Sequence, residues 1–339
     1  MKQLVCAILL GFTQVGCCEP DARVTLRVTD DAGRVVSNAW VTVSTFDHWK
    51  PGEFAGKDVL REKQKQTDAH GLATLTIPCK TGSVQYGIYA GKYSTGGYAY
   101  QMNGVRYYNG GGGEYFSTNA IMGKWQPWDP HLEINIKRVC NPIPMYAKHV
   151  NSGLNLLHLG DKLAYDLIKG DWVKPYGKGE TADFIFSGVY NVIGKSRYNK
   201  DYFDMTLDMT FSNEDDGIQC VRVPPQAGSV LRLPYCAPAD GYEPILSQEK
   251  YVRNDLENKQ TLDEDLNYFF RVRTEKNDKG EIISALYGKI YKPVEFWVSP
   301  TKVSIQFTYY VNPSPNDLNL EYDPNENLFD KKQFRGMAP

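Results

Sequence analysis

Histidine is scarce in this chain. His48, His70, His131, His149 and His158 are the only five among 339 residues, and none falls in an HExxH frame or beside a Cys-x-x-Cys pair. The spacings that build catalytic or structural zinc sites are therefore missing. No G-x-S-x-G elbow marks an α/β-hydrolase nucleophile. Gly194-Lys195-Ser196 ends like a phosphate-binding loop, but that loop needs Gly at the place held by Val189, and Gly188 misses by one. Ser247-Gln248-Glu249-Lys250 matches S-x-x-K, yet the only K-T-G, Lys80-Thr81-Gly82, precedes it, the reverse of the β-lactamase order. Charge is balanced too: 38 Lys and Arg face 40 Asp and Glu, a formal net charge of −2, with no long basic stretch. That argues against a nucleic-acid partner. No later apolar run approaches the roughly 20 residues of a membrane-spanning helix.

What is abundant points to β-structure. The chain holds 23 Tyr, 14 Phe and 6 Trp, with 30 Gly and 19 Pro. Aromatic residues favour strands, and Gly and Pro favour the tight turns between them. The expectation is a mainly β protein of two domains, residues 22–140 and 145–330, with Pro142 and Pro144 breaking strand pairing between them.

Residues 1–18, MKQLVCAILLGFTQVGCC, have the layout of a secretory signal: Lys2, a short apolar run from Leu4 to Phe12, then Gly16, Cys17 and Cys18. Val15-Gly16-Cys17 also resembles the end of the box that directs lipidation in bacterial lipoprotein precursors, although Gln14 stands where Leu is usual. The resemblance implies an acyl chain on Cys17, with simple cleavage and release as the alternative. Acyl chains contribute about 0.8 kcal/mol per buried CH₂, so two or three would anchor the protein. The expected location is the envelope as a membrane-anchored lipoprotein, or the periplasm or exterior.

In the first domain Val24, Leu26 and Val28 alternate with polar residues, as do Ala39, Val41 and Val43. This period of two marks strands with one buried face. Val28-Thr29-Asp30-Asp31-Ala32-Gly33, Ala39-Trp40-Val41, Thr67-Asp68-Ala69-His70-Gly71 and Ala90-Gly91-Lys92-Tyr93 follow one another in an order similar to the carboxypeptidase regulatory-like domain. The resemblance covers about residues 22–140 and implies a small transthyretin-like or Ig-like β-sandwich. In that family the module is an accessory for folding or interaction and has no catalytic residues. The stretch from Lys92 to Asp129 is long for a connection in such a sandwich. Its Tyr107, Tyr108, Trp125 and Trp128 are candidate stacking faces for sugar rings, or else part of an extra hairpin packed on the sheet or on the second domain.

The second domain shows strand-like runs at Phe184–Phe186, Phe203–Phe211, Tyr268–Thr274, Ile282–Tyr291 and Val303–Val311. It reads as a second antiparallel β-sandwich with few short helices, the places for those being 153–168 and 250–266. Export allows disulfides. Cys220 and Cys236 flank a turn, and Cys79 and Cys140 each follow a strand, which makes Cys220–Cys236 and Cys79–Cys140 the candidate bridges, with four small buried apolar side chains as the other reading. Acidic residues at 214–216, and the alternating Asp317, Asn319, Glu321 and Asp323, have oxygens enough for calcium but lack its loop spacing. A solvated strand edge explains the alternation better, and no metal or cofactor is expected.

The reading that follows is a non-catalytic, exported or envelope-tethered binding or structural protein. Its partners would be a cell-surface protein or polysaccharide, and the membrane through an N-terminal lipid. The alternative is a carbohydrate-active or peptide-cleaving hydrolase with two carboxylates in a cleft of the second domain.

Overall fold

Alternating apolar residues become strands throughout the computed structural model, which describes residues 19–47, 59–88, 99–108, 110–156, 158–223, 227–229, 231–254 and 256–329. Twenty-five strands and no helix occur among these residues. Residues 1–18, with Cys17, lie outside them.

Two compact units divide the chain near Ile136 and Lys137. In the first, the strand Asp21–Asp30 pairs antiparallel with Leu72–Pro78 and parallel with His131–Ile136. A second sheet runs in the order Val59–Gln66, Trp40–Asp47, Ser83–Ile88, Gly113–Phe116. Val24, Leu26, Val28, Val41 and Val43 are all buried, so the alternating positions form the core. Each such aliphatic side chain contributes about 1.5–3 kcal/mol by leaving water. The turn before Leu72 is closed by Asp68, whose Oδ1 accepts from the amides of His70 at 2.8 Å and Leu72 at 2.9 Å. Gly71 adopts φ +71° there, and a Cβ on it would lie 2.8 Å from the Val28 carbonyl oxygen, so glycine is required.

The second unit has two six-stranded sheets. One is ordered Gly217–Arg222, Leu266–Lys276, Ile282–Val298, Lys302–Val311, Ile143–Asn155, Tyr322–Asn327; the other Asp171–Trp172, Leu163–Asp166, Phe184–Lys195, Asp201–Thr210, Ile245–Val252, Asn258–Lys259. Every pairing is antiparallel except that between Ile143–Asn155 and Tyr322–Asn327. Phe184, Phe186, Met205, Phe270, Ile305 and Phe307 pack together in the main core, with Phe184 and Phe270 edge to face at 5.0 Å. A smaller cluster of Tyr108, Met145, Phe269, Tyr310 and Tyr322 forms a separate core.

The expectation of short helices is corrected here. Residues 153–168 and 250–266 form no helix: the first continues the strand Ile143–Asn155, turns at Gly160 with φ +91° and enters Leu163–Asp166. The second ends the strand Ile245–Val252 and leads to Asn258–Lys259. Neither has the 3.6 period that would give a helix one apolar face. The strand Val105–Tyr108 belongs with the second unit, as one of the two packings expected for that stretch has it. Its Tyr108 amide donates to the Lys137 carbonyl, and the Val139 amide donates to that of Arg106.

Candidate functional site

The four candidate stacking aromatics do not form one platform. Tyr107 and Tyr108 are 6% and 2% exposed in the second unit, so neither offers a ring face. The Tyr108 hydroxyl donates to Glu321 Oε1 at 2.7 Å. Glu321 is 1% exposed and also accepts from the amides of Cys140 and Asn141, at 2.7 and 2.5 Å. The alternating acidic stretch is therefore an internal clasp at Glu321 rather than a solvated edge. Trp125 and Trp128 belong to the first unit. The Trp125 indole donates to the Cys79 carbonyl at 2.7 Å, while Trp128 is half-buried beneath the Lys124 ammonium, 5.0 Å from the ring centroid.

Neither candidate disulfide is formed: Cys79, Cys220 and Cys236 are free thiols. Cys79 is buried, its Sγ 3.4 Å from the Ser83 carbonyl oxygen, and Cys140 belongs to the other compact unit, with its Sγ near the Arg138 carbonyl oxygen. Cys236 bridges the backbone of Asn319, whereas Cys220 lies on the edge strand Gly217–Arg222. Closeness in sequence does not bring two Cβ atoms to bonding distance.

Carboxylates gather at one place in the second unit, in a closed arrangement. The Arg273 guanidinium grips Asp183 with Nε and a terminal nitrogen at 2.8 and 2.9 Å, and reaches Asp166 at 2.9 Å. Asp166 also accepts from the amides of Ile168, Lys169, Glu180 and Thr181. Asp216 accepts from the amides of Arg273 and Thr274. Burial pushes Asp183 and Asp216 above the usual carboxylate range, against the pull of Arg273 and of the amides respectively. Burial also acts upward on Asp166, but its amide donors and Arg273 outweigh it and hold that carboxyl low. These carboxylates have their hydrogen-bonding capacity spent on tying separate segments of the unit together, which leaves little for a substrate. Among the described residues, no group of three His, Cys, Asp or Glu is placed to hold a metal.

The open feature is a groove of about 660 Å³ in the second unit, where the edge strand Gly217–Arg222 and the strand Leu266–Lys276 face Asp201–Thr210, Ile245–Val252 and Lys259. Tyr268 is fully buried at its floor, and its hydroxyl accepts from Gln248 Nε2 at 3.0 Å. Burial pushes that hydroxyl well above the ordinary tyrosine range. Leu246, Leu262 and Leu266 supply apolar wall. The rim carries the ion pairs Arg222–Asp263 and, at 3.6 Å, Lys259–Glu249. Ser247 Oγ donates to Asp208 Oδ1 at 2.5 Å. Burial raises the Cys220 thiol against the smaller pull of Arg222, so at neutral pH it is a thiol and a weak nucleophile.

No histidine stands in this lining to activate Ser247 or Cys220. Lys250 cannot serve Ser247 either. Three residues apart on a strand they take opposite faces, and Lys250 is buried against Glu295 at 2.8 Å. Sequence reasoning missed the groove because its walls come from five separated segments. No protein-family model matches the chain, and no curated protein matches it.

Proposed function

We propose that the chain is a non-catalytic binding protein of the bacterial cell envelope, exported and either tethered through Cys17 or released. Its second unit takes an extended segment of a partner protein in the groove, and its first unit serves as an accessory module of the carboxypeptidase regulatory-like kind. The groove lining is the observation that carries this reading: paired charges and hydrogen-bonding side chains along an edge strand, over an apolar wall. A strand edge offers backbone groups to an extended peptide, and alternating side-chain contacts give selectivity. Protein is favoured over polysaccharide because the only aromatic of the groove, Tyr268, is buried and offers no ring for stacking on a sugar.

Binding of the full chain to arrays of envelope polypeptides and of glycans tests this. Polypeptide signals should appear and fall about tenfold when Arg222 and Lys259 are both replaced by Glu, since exchanged charges are repelled by the rim carboxylates. Silence on the polypeptide array, or signals indifferent to these two changes, would sink the groove reading. Signals confined to glycans would move the partner to polysaccharide.

A further inference from the structure

The segment Gly194-Lys195-Ser196, which imitates a phosphate-binding loop in sequence, sits at the tip of a β-hairpin. The strands Phe184–Lys195 and Asp201–Thr210 pair antiparallel from Ile185 with Thr210 to Lys195 with Asp201. The first half of this hairpin belongs to the main core, through Phe184, Phe186, Leu207 and Met209. The distal half is more open: from Val189 to Tyr202 every residue is exposed or half-exposed, although Tyr190 still packs on the core and Phe203 belongs to it. Gly188 lies against Val298, whose methyl carbon would lie 2.8 Å from a Cβ on that glycine.

Beyond that point the exposed residues are the wrong ones for a passive loop. Val189 is 44% exposed, Val192 and Ile193 are 51% each, and Tyr198 is 71%. The register slips between Val192 and Gly194, so Ile193 is an extra residue on one strand. A bulge of this kind breaks the alternation, and here it leaves two consecutive aliphatics in solvent. Opposite Val192 stands Phe203, on which Trp297 packs edge to face at 5.4 Å while remaining 46% exposed. One exposed aliphatic would be ordinary, but Val192, Ile193 and Tyr198 with Trp297 at one end of the unit mark an interaction surface, whereas Val189, opposite Thr206, takes the other face of the hairpin.

The charges at this end select the partner. Between Val189 and Phe203 the cations are Lys195, Arg197 and Lys200, against the single carboxylate of Asp201, which lies 3.7 Å from Lys195. Arg197 stacks over the Tyr198 ring at 4.7 Å. The turn is fixed, with the Ser196 amide on the Lys200 carbonyl, the Asn199 amide on that of Ser196, and Asn199 at φ +59°. The tip is thus a built platform that needs no ordering on contact. Aliphatics, tyrosine and tryptophan beside three long cationic side chains match the boundary of a bilayer. There the apolar groups enter the acyl region, and Lys and Arg extend to the phosphates.

We infer that the end of the hairpin from Val192 to Tyr202, together with Trp297, is a contact surface for an anionic lipid bilayer, lying along the interface rather than crossing it. It is separate from the groove and from any acyl chain on Cys17, and gives the second unit its own hold on the membrane. Each cation near an anionic surface is worth about a fivefold gain in binding.

Sedimentation with vesicles of phosphatidylcholine, with and without about 30% phosphatidylglycerol, tests the assignment. The full chain is used with Cys17→Ser and Cys18→Ser, so that no acylation contributes and the leader adds the same background to every variant. Phosphatidylglycerol should increase the bound fraction, and added salt should reduce it. Replacing Lys195, Arg197 and Lys200 by Gln should weaken this lipid-dependent binding roughly a hundredfold. The pair Val192→Ser and Ile193→Ser should weaken it about tenfold with an unchanged melting temperature, because both residues are already in solvent. Arg222→Glu with Lys259→Glu in the groove should leave it intact. The assignment is overturned if phosphatidylglycerol has no effect, or if the triple Gln variant binds like the parent. A hairpin that serves a protein partner instead would give the first of those results.

Discussion

Lys289 has no exposure to solvent, and its ammonium lies 5.4 Å from the centroid of the Tyr310 ring. Burial pushes its amine down to about 7, the nearby Lys137 adds to that, and the charge of Glu321 opposes both. In the unfolded chain an ordinary lysine stays protonated to about pH 10.4. The folded pKa is the lower one, so between about pH 7 and 10 the unfolded state holds more protons and this group makes stability rise with pH. Below pH 7 both states are protonated and its destabilising effect is complete. Lys289→Met, similar in length and without the charge, should therefore stabilise the protein at pH 6 by on the order of 2 kcal/mol, and the gain should shrink at pH 9. Thermal melts of parent and variant at the two pH values check this. A gain that is equal at both, or a loss larger at pH 6 than at pH 9, would contradict the desolvation account.

At the scale of elements, the open edges of the first unit carry their own protection. Leu72–Pro78 pairs on one side only, with Asp21–Asp30, and the strand Val59–Gln66 ends its own sheet. From that second strand Lys63 Nζ donates to the Thr76 carbonyl at 2.6 Å, and Lys65 Nζ to that of Thr74 at 3.4 Å. Two edge carbonyls are thereby covered by charged groups that repel an approaching strand. Replacing both lysines by Ser should change the unfolding free energy by less than about 0.5 kcal/mol, because both are exposed, but should speed aggregation. Light scattering at raised temperature measures the second effect and urea titration the first. An unchanged aggregation rate would show that the lysines are decorative.

These strands were legible in the sequence because period-two alternation is a local property, and the Asp68–Gly71 turn was legible because its side-chain chemistry is local too. Glu321 was not, since nothing in an acidic alternation reveals that a tyrosine far upstream will close over it. The expected helices at 153–168 and 250–266 failed for the converse reason. Weak periodicity there was resolved by pairing with distant strands, such as Lys302–Val311 against Ile143–Asn155. Nor could composition show that the bulge at Ile193 would turn two aliphatics outward.

At the scale of the whole molecule, the order of the chain and the order of the folded units differ, and this has an energetic consequence. A cut in the Asn141–Pro144 segment follows the break in the sequence but removes Val105–Tyr108 from the unit it belongs to. A fragment of residues 141–339 would lose the Tyr108 side chain from the cluster with Met145, Phe269 and Tyr322. It would also lose the Tyr108 hydroxyl and the Cys140 amide as donors to Glu321. Removing a buried aromatic costs about 3–5 kcal/mol, and a buried carboxylate deprived of donors adds to that. Stabilities of 5–15 kcal/mol are usual, so the loss is a large share of the total. The fragment 99–339 retains all of these groups. We expect it to unfold at a distinctly higher urea concentration than 141–339. Reinstating Val105–Tyr108 while changing Tyr108→Phe separates the two contributions: packing should return, and the deficit left should match one charged hydrogen bond, roughly 1.5–3 kcal/mol. Equal urea midpoints for the two fragments would mean that Glu321 and its cluster are held without the upstream strand.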